Sequence, residues 1–172
     1  MPKISAQDVT SAVRKLQGMS PSEQAVLADE IFKRQPFLMD SCLLQHSLSV
    51  ANDGLQHTTA MLLVCFQAMK ESGFEWQLIT EDQQERQLNR MTATVELSRK
   101  FADRNLSDGV TQQFLMSHPE QPLMAYVLAA SNFWLQQIAA RGTESETDKD
   151  VLMACINFVN CIAYTEAKAR PA

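Results

Sequence analysis

The sequence predicts an all-α fold of seven or eight helices, on three observations. Apolar residues recur at helical spacing along most of the 172 residues, and helix-starting combinations such as Ser20-Pro21-Ser22-Glu23 precede several of these runs. Two C-terminal segments, about 122–141 and 147–168, are apolar on most faces and are joined by a short acidic connection. We therefore predict that they form a central apolar antiparallel hairpin, with the other helices packed around it in one domain of residues 1–172.

The first two helices each begin with a capping box. Ser5 with Asp8 begins a helix of about residues 6–17, and Ser20 with Glu23 begins the second helix. In such a box the hydroxyl accepts a hydrogen bond from the backbone three residues on, and the carboxylate accepts one in return. The sequence therefore predicts two well-defined helix starts.

Residues 37–72 leave two arrangements open. A helix opens at Pro36, and the sequence Asn-Asp-Gly at 52–54 favours a break after it. The apolar stripe nevertheless continues in phase through Leu55 and Leu62. The region therefore forms either one kinked helix or two helices.

The next stretch resembles a strand in its spacing, because Phe74, Trp76 and Leu78 alternate with polar residues. No other strand candidate lies nearby in the sequence, so we expect an extended linker that packs on the core rather than a sheet. A long helix of about residues 81–105 follows it. A short helix of about residues 107–117 then leads into the hairpin.

The long helix has two apolar faces. Its inner stripe is expected to contain Leu88, Met91, Val95 and Ala102. Leu97 and Phe101 lie one turn apart and away from that stripe, on the side of Arg90 and Arg104. A second apolar contact with arginines at its rim is typical of a partner surface, so these four residues are candidates for partner contact. The alternative is that the N-terminal helices of the same chain cover them.

The last helix contains Val151–Tyr164, which is apolar at nearly every angle. Such a helix is buried or spans a membrane. Asn157 and Asn160 interrupt the apolar run well short of the roughly 18 residues that a span needs, so we expect a buried helix of a soluble protein. Thr147 is the expected N-cap, with Asp150 as its capping-box partner.

Three amides lie within the two apolar segments, at Asn132, Asn157 and Asn160. Burying an amide without partners costs about 1–3 kcal/mol, so we expect these side chains to bond to one another, to backbone carbonyls or to water. One interpretation is a polar seam that fixes the register of the helices. The other is the polar end of a small-molecule pocket that also contains Tyr126 and Trp134.

Charge and cysteine usage exclude several classes of function. The net charge is −5 and the sequence pI is near 5.2, which argues against a nucleic-acid or anionic-membrane partner. The N-terminus contains no apolar segment typical of a secretory signal. The four cysteines lie in apolar helical runs without CxxC spacing, so we expect reduced, buried thiols and a cytoplasmic location.

Sequence motifs for catalysis, metal binding or cofactor binding are absent. The chain contains no GxSxG, GxGxxG or Walker sequence, and no cysteine has a histidine at motif spacing. His46 and His57 would lie too far apart on one helix to share a metal, and we expect both at the surface or at a cap. His118 is interpreted as an ordinary helix-end residue. We therefore predict no catalytic residue, metal ligand or cofactor.

The leading hypothesis is a non-enzymatic cytoplasmic helical protein that acts through protein contacts, as an adaptor, regulator or inhibitor. The excess apolar surface of the hairpin and the Leu97 and Phe101 patch also indicate a homodimer. The alternative is a small-molecule-binding helical domain, or an enzyme without local motifs, with its site at Asn132, Asn157 and Asn160. Neither hypothesis involves nucleic acid or a membrane.

Overall fold

A computed structural model describes residues 1–47, 50–101 and 115–169, without the side chains of residues 45–47 and 95–101. The described residues form seven helices and one two-stranded sheet, which confirms the predicted all-α class. Residues 115–117 are also helical. In chain order the elements are α1 (Ala6–Gly18), α2 (Pro21–Arg34), α3 (Pro36–Ser47), α4 (Asn52–Glu71), β1 (Phe74–Trp76), α5 (Glu81–Phe101), α6 (Gln121–Arg141), α7 (Asp148–Ala163) and β2 (Ala167–Ala169).

Both predicted capping boxes are present. The Ser5 N–H donates to Asp8 Oδ2 at 2.8 Å, and the Asp8 N–H donates to Ser5 Oγ at 3.2 Å. Ser20 and Glu23 make the same exchange at 2.7 and 3.3 Å, and Pro21 occupies the first helical position. α1 and α2 therefore begin where nearby side chains satisfy N–H groups that the first helical turn leaves free.

The core is centred on α4 and α7. Every side chain from Met61 to Met69 of α4 is buried, and so is every side chain of α7 from Asn157 to Ala163. α6 buries only one side, which contains Leu123, Met124, Val127, Ser131, Trp134 and Ile138. The predicted hairpin therefore shares the centre of the core with α4, and α6 is the member of the hairpin that leaves one side exposed.

α6 and α7 form the antiparallel hairpin that the sequence predicts. His118, just ahead of α6, bonds to Asn160 near the end of α7. Farther along α6, Trp134 comes close to Val151, near the start of α7, where both side chains approach Gly54. The two helices therefore run in opposite directions along their contact.

Residues 37–72 form two helices, α3 and α4, rather than one kinked helix. The Asn-Asp-Gly sequence at 52–54 lies in the first turn of α4 and does not break it. A Cβ atom at Gly54 would lie 2.7 Å from Val50 Cγ1 and 2.8 Å from Val151 Cγ2, closer than carbon atoms approach without displacement. Gly54 is therefore needed for close packing, which its turn-like sequence context does not reveal.

The expected linker at residues 74–78 is wrong, because β1 pairs antiparallel with β2. Phe74 lies opposite Ala169, and Trp76 lies opposite Ala167. The last helix consequently ends at Ala163 rather than near residue 168. Both strands have only three residues and lie about 90 positions apart, so neither has a strong local signal.

The start of α7 differs in detail from its prediction. Thr147 occupies the N-cap position, but its side chain makes no capping bond and its backbone is helical, with φ −83° and ψ −4°. The Ser145 N–H instead donates to Asp148 Oδ2 at 2.7 Å, and Ser145 Oγ lies 3.0 Å from Thr147 Oγ1. The predicted capping box of Thr147 with Asp150 is therefore wrong. An N-cap hydroxyl reaches the first turn from an extended backbone, which Thr147 does not adopt.

All four cysteines are free and buried, as predicted. Burial raises the pKa of Cys155 and the pKa of Cys161 to about 12. It also raises the pKa values of Cys42 and Cys65. Because the thiolate is the reactive form, these side chains behave as small apolar groups. Among the helices of the described residues, none combines the length and the apolar character that crossing a membrane requires.

Candidate functional site

The buried face of α5 is largely polar, and of the predicted stripe only Met91 is shown to lie on it. Gln84, Gln87 and Met91 are buried, whereas Leu88 is 39% exposed. The side chain of Val95 and all of Ala102 lie outside the described residues. The side-chain oxygen of Gln84 accepts a hydrogen bond from the hydroxyl of Ser41 in α3, so this buried amide is bonded to a neighbouring helix.

Hydrogen bonds connect this polar face of α5 to α7. Asn157 Nδ2 donates to the backbone carbonyl of Gln84 at 3.2 Å. Near the end of α7, Gln83 Nε2 donates to the Cys161 carbonyl at 3.2 Å and to Thr165 Oγ1 at 2.6 Å. We call these five residues the α5–α7 seam. Their bonds hold the first turn of α5 against the second half of α7 and the residues that follow it.

His118 extends the seam toward the N-terminus of the chain. Its Nδ1 accepts from the Glu120 N–H at 3.1 Å, so Nε2 carries the proton and donates to Asn160 Oδ1 at 3.1 Å. The buried Glu120 carboxylate accepts from the backbone N–H groups of Lys3 and Ile4, each at 3.0 Å. Burial lowers the pKa of His118 and raises the pKa of Glu120. The prediction of an ordinary helix-end His118 is therefore wrong, and its place beside Pro119 in the sequence gives no sign of burial.

Two of the three predicted amides belong to this polar region. Asn157 bonds to Gln84, and Asn160 bonds to His118 with its Nδ2 3.8 Å from Met91 Sδ. Asn132 is exposed on the far side of α6 and does not join them. Within the described part of the chain, Asn157 Oδ1 is buried and has no hydrogen-bond partner. Among the predicted pocket amides, this oxygen is the acceptor whose hydrogen-bonding capacity the described residues leave unused.

Tyr126 and Trp134 lie elsewhere on α6. Tyr126 is half-buried and Trp134 is buried, with its ring stacked on His57 of α4 at 4.8 Å between centroids. His57 Nε2 lies 3.0 Å from the fully buried Ser131 Oγ, and burial lowers the pKa of His57 to about 4. The expectation of a surface or capping His57 is therefore wrong. Of the five predicted pocket residues, Asn157 and Asn160 lie together beside α5, whereas the three residues of α6 do not join them.

The His57 and Ser131 pair is not arranged for nucleophilic chemistry. Ser131 is inaccessible to any substrate, and the half-buried His57 ring is covered on one face by Trp134. A general base also needs a pKa near the working pH, which His57 does not have. The pair instead joins α4 to α6.

A small cleft lies between α2, α4 and β1. Its volume is about 30 Å³, room for roughly two water molecules, and Arg34, Lys70 and Trp76 are among its lining residues. Glu30 forms ion pairs with both Arg34 and Lys70. One carboxylate therefore balances one of the two positive charges, and none of the predicted site residues lines the cleft.

The predicted contact patch on α5 falls mostly on positions without a structural description. The side chains of Leu97 and Phe101 and the whole of Arg104 lie outside the described residues. Arg90 is exposed, and its guanidinium lies 5.0 Å from the ring centroid of Tyr164. Arg90 therefore has a cation–π contact within the chain.

A different helix face has the composition of a contact surface. We define the α6 outer face as Ala129, Asn132, Phe133, Gln136, Gln137 and Ala140, all of them exposed. Phe133 is 62% exposed. The only charged residue in the sequence of α6 is Arg141 at its end, where it pairs with Asp53 at 2.9 Å. The sequence reading found Asn132 but missed Phe133, although a long helix without charges was visible from the residues alone.

The described residues contain no group of three or more histidine, cysteine, aspartate or glutamate side chains placed to hold a metal ion. The candidate sites are therefore the α5–α7 seam, with one unpartnered acceptor, and the α6 outer face, with one exposed aromatic ring. Comparison of the chain with protein-family models, curated proteins and solved structures gave no match.

Proposed function

We propose that this chain is a non-enzymatic cytoplasmic protein that acts by binding a protein partner through the α6 outer face. The observation that carries the proposal is Phe133, a large aromatic side chain that is 62% exposed on a helix with no charge before Arg141. Aromatic residues are enriched, and charged residues depleted, at the centres of protein interfaces. The four buried thiols support the cytoplasmic part of the proposal.

The inner side of α6 supports the same proposal. Trp134 stacks on His57, and Leu123 and Ile138 are almost fully buried. A helix held this firmly keeps the side chains of its outer face in fixed positions. Binding then requires little further ordering, which favours affinity. An adaptor, regulator or inhibitor would act through such a rigid face.

Photo-crosslinking tests this proposal at single positions. We expect p-benzoylphenylalanine at Phe133 of the full chain, expressed in cells, to give discrete protein adducts. The same residue at Phe32, which is 57% exposed on α2, is the matched control and should give none of these adducts. No adduct at position 133, or the same adducts at both positions, would contradict the proposal.

The patch predicted on α5 remains a second contact surface within the same proposal. Leu97→Asp and Phe101→Asp place a charge on each of its two apolar positions, and charge at the centre of an interface weakens binding. If the patch contributes, each variant reduces the adducts formed from position 133 while the circular dichroism of the chain stays unchanged. Unchanged adduct yields would remove the patch from the proposal.

A second candidate function is small-molecule binding at the α5–α7 seam. The observation that favours it is the buried Asn157 Oδ1, which lacks a hydrogen-bond partner among the described residues. A ligand that donates to this oxygen would recover a bond that the folded chain leaves unmade. Asn160 Oδ1 already accepts from His118, so Asn157 Oδ1 is the amide oxygen of α7 that remains able to accept from a ligand.

Thermal-shift screening with small amides and amines tests this second candidate. A compound that binds at the seam raises the Tm of the wild type and leaves Asn157→Leu unaffected. Asn132→Leu, which changes an exposed amide, is the control and should keep the full shift. Equal shifts in all three proteins, or none in the wild type, would reject the candidate.

A further inference from the structure

The partner of the α6 outer face can be identified by its chemistry. We infer that it is a second copy of this chain, bound across a two-fold axis with the two α6 helices in contact. This inference rests on the proposed function and names the partner for the same surface. Two-fold dimers are the commonest protein oligomers, and each copy contributes the same face to the contact.

The distribution of charge favours a second copy. The chain has a net charge of −5, so two copies repel each other over most of their surfaces. A contact between copies therefore needs a face on which no like charges meet. The α6 outer face satisfies this condition, because its six residues are alanines, amides and one phenylalanine. A basic partner would have no acidic side chain on this face with which to pair.

The amides of the α6 outer face also favour a second copy. Each amide of Asn132, Gln136 and Gln137 contains both a donor and an acceptor, so it pairs with an identical amide. In a two-fold contact, residue i of one copy meets residue j of the other and j meets i. A face of amides around one aromatic ring is therefore complementary to itself. Phe133 of each copy would be covered by the other copy at the centre of the contact.

Sedimentation equilibrium of the full chain tests the inference. We expect the wild type to be a dimer, and Phe133→Asp and Gln136→Glu each to raise the dimer dissociation constant by about tenfold or more, because each places like charges across the contact. Two variants are used so that the conclusion does not depend on the folding of either one. Phe32→Asp, the exposed phenylalanine of α2, should dimerise as the wild type does.

Three results would overturn the inference. One is a wild type that stays monomeric up to about 100 μM, well above the micromolar constants of stable complexes. Another is a dimer that neither Phe133→Asp nor Gln136→Glu weakens. The third is a monomer that co-sediments with phosphatidylserine–phosphatidylcholine vesicles through Phe133, which would assign the face to a lipid surface.

The failure of this inference can be told apart from the failure of the proposed function. A monomeric wild type that still crosslinks from position 133 to a different protein keeps the proposed function and rejects the second copy. A monomer that gives no adduct at position 133 rejects both.

Discussion

α5 and α6 are both 21 residues long, and both pack one face against α7. They differ in what they bury and in what they expose. α5 contains eight charged residues and buries Gln84 and Gln87 beside Met91. α6 contains one charged residue, Arg141, and its buried side is apolar apart from Ser131. α5 is therefore held against α7 largely by hydrogen bonds, whereas α6 is held there by apolar packing.

The difference shows what each helix contributes. A hydrogen bond adds only about 0.5–1.5 kcal/mol net, so the bonds of the α5–α7 seam fix geometry more than they add stability. Burying a large apolar side chain adds about 1.5–3 kcal/mol, so α6 is the more firmly held helix. Charges on α5 keep its outer side solvated. The α6 outer face has no such charges, and nothing in the packing of the helix requires them to be absent.

The largest expected effect on stability comes from truncating Trp134, the buried aromatic side chain of α6. Trp134→Ala should lower the free energy of unfolding by about 3–5 kcal/mol, because it empties a buried site and removes the stack on His57. Urea unfolding followed by circular dichroism measures the change. Leu88→Ala on α5 is the control, since that leucine is 39% exposed and should cost about 0.5 kcal/mol or less. Equal losses in the two variants would abolish the contrast between the helices.

The same contrast explains which features were predictable. Ser5 with Asp8 and Ser20 with Glu23 act within one turn of helix, so local residues predict them and the structure confirms them. The burial of α7 follows from a run that is apolar at nearly every angle. The uncharged outer face of α6 can also be predicted from the sequence, because a 21-residue helix with one charged residue is unusual for a solvated surface.

The remaining features depend on partners distant in sequence. The side chain of Gln84 can be buried because Ser41 donates a hydrogen bond to it, and this bond is not visible in the spacing of α5. For this reason the apolar stripe placed Met91 correctly but wrongly predicted that Leu88 is buried. His118 is buried by its bond to Asn160, 42 positions away. β1 and β2 form only because residues about 90 positions apart meet.

A smaller effect distinguishes two neighbouring amides of the α5–α7 contact. Asn160→Leu should lower the free energy of unfolding by about 1–3 kcal/mol, because it removes the bond to His118 inside the core. Asn157→Leu should be within about 1 kcal/mol of the wild type or more stable, since it also removes an oxygen that is buried without a partner. Urea unfolding of both variants measures the difference. A large loss from Asn157→Leu alone would mean that the Asn157 side chain stabilises α5 more than its single bond indicates.

The smallest effect at neutral pH is the pH dependence of the contact between α4 and α6. Burial lowers the pKa of His57 from 6.5 to about 4. Between these values the unfolded chain binds a proton that the folded chain excludes, so the free energy of unfolding falls as the pH decreases through that interval. Above pH 6.5 His57 is neutral in both states, and its contribution to the free energy of unfolding no longer changes with pH. Because the His57 ring is only partly buried, solvent reduces the size of the fall.

His57→Gln isolates this contribution, because a glutamine amide can hydrogen-bond to Ser131 Oγ but does not titrate. His118 also has a lowered pKa, so it too makes the free energy of unfolding fall as the pH decreases. The raised pKa of Glu120 acts in the opposite direction. Both groups are present in the wild type and in His57→Gln, so their effects cancel in the difference between the two proteins. The free energy of unfolding of the wild type minus that of His57→Gln, measured by urea unfolding, should be constant above pH 6.5 and decrease steadily toward pH 4. A constant difference across the interval would mean that the proton reaches His57 as easily in the folded chain, and that α6 is less tightly closed over α4 than its stacked Trp134 indicates.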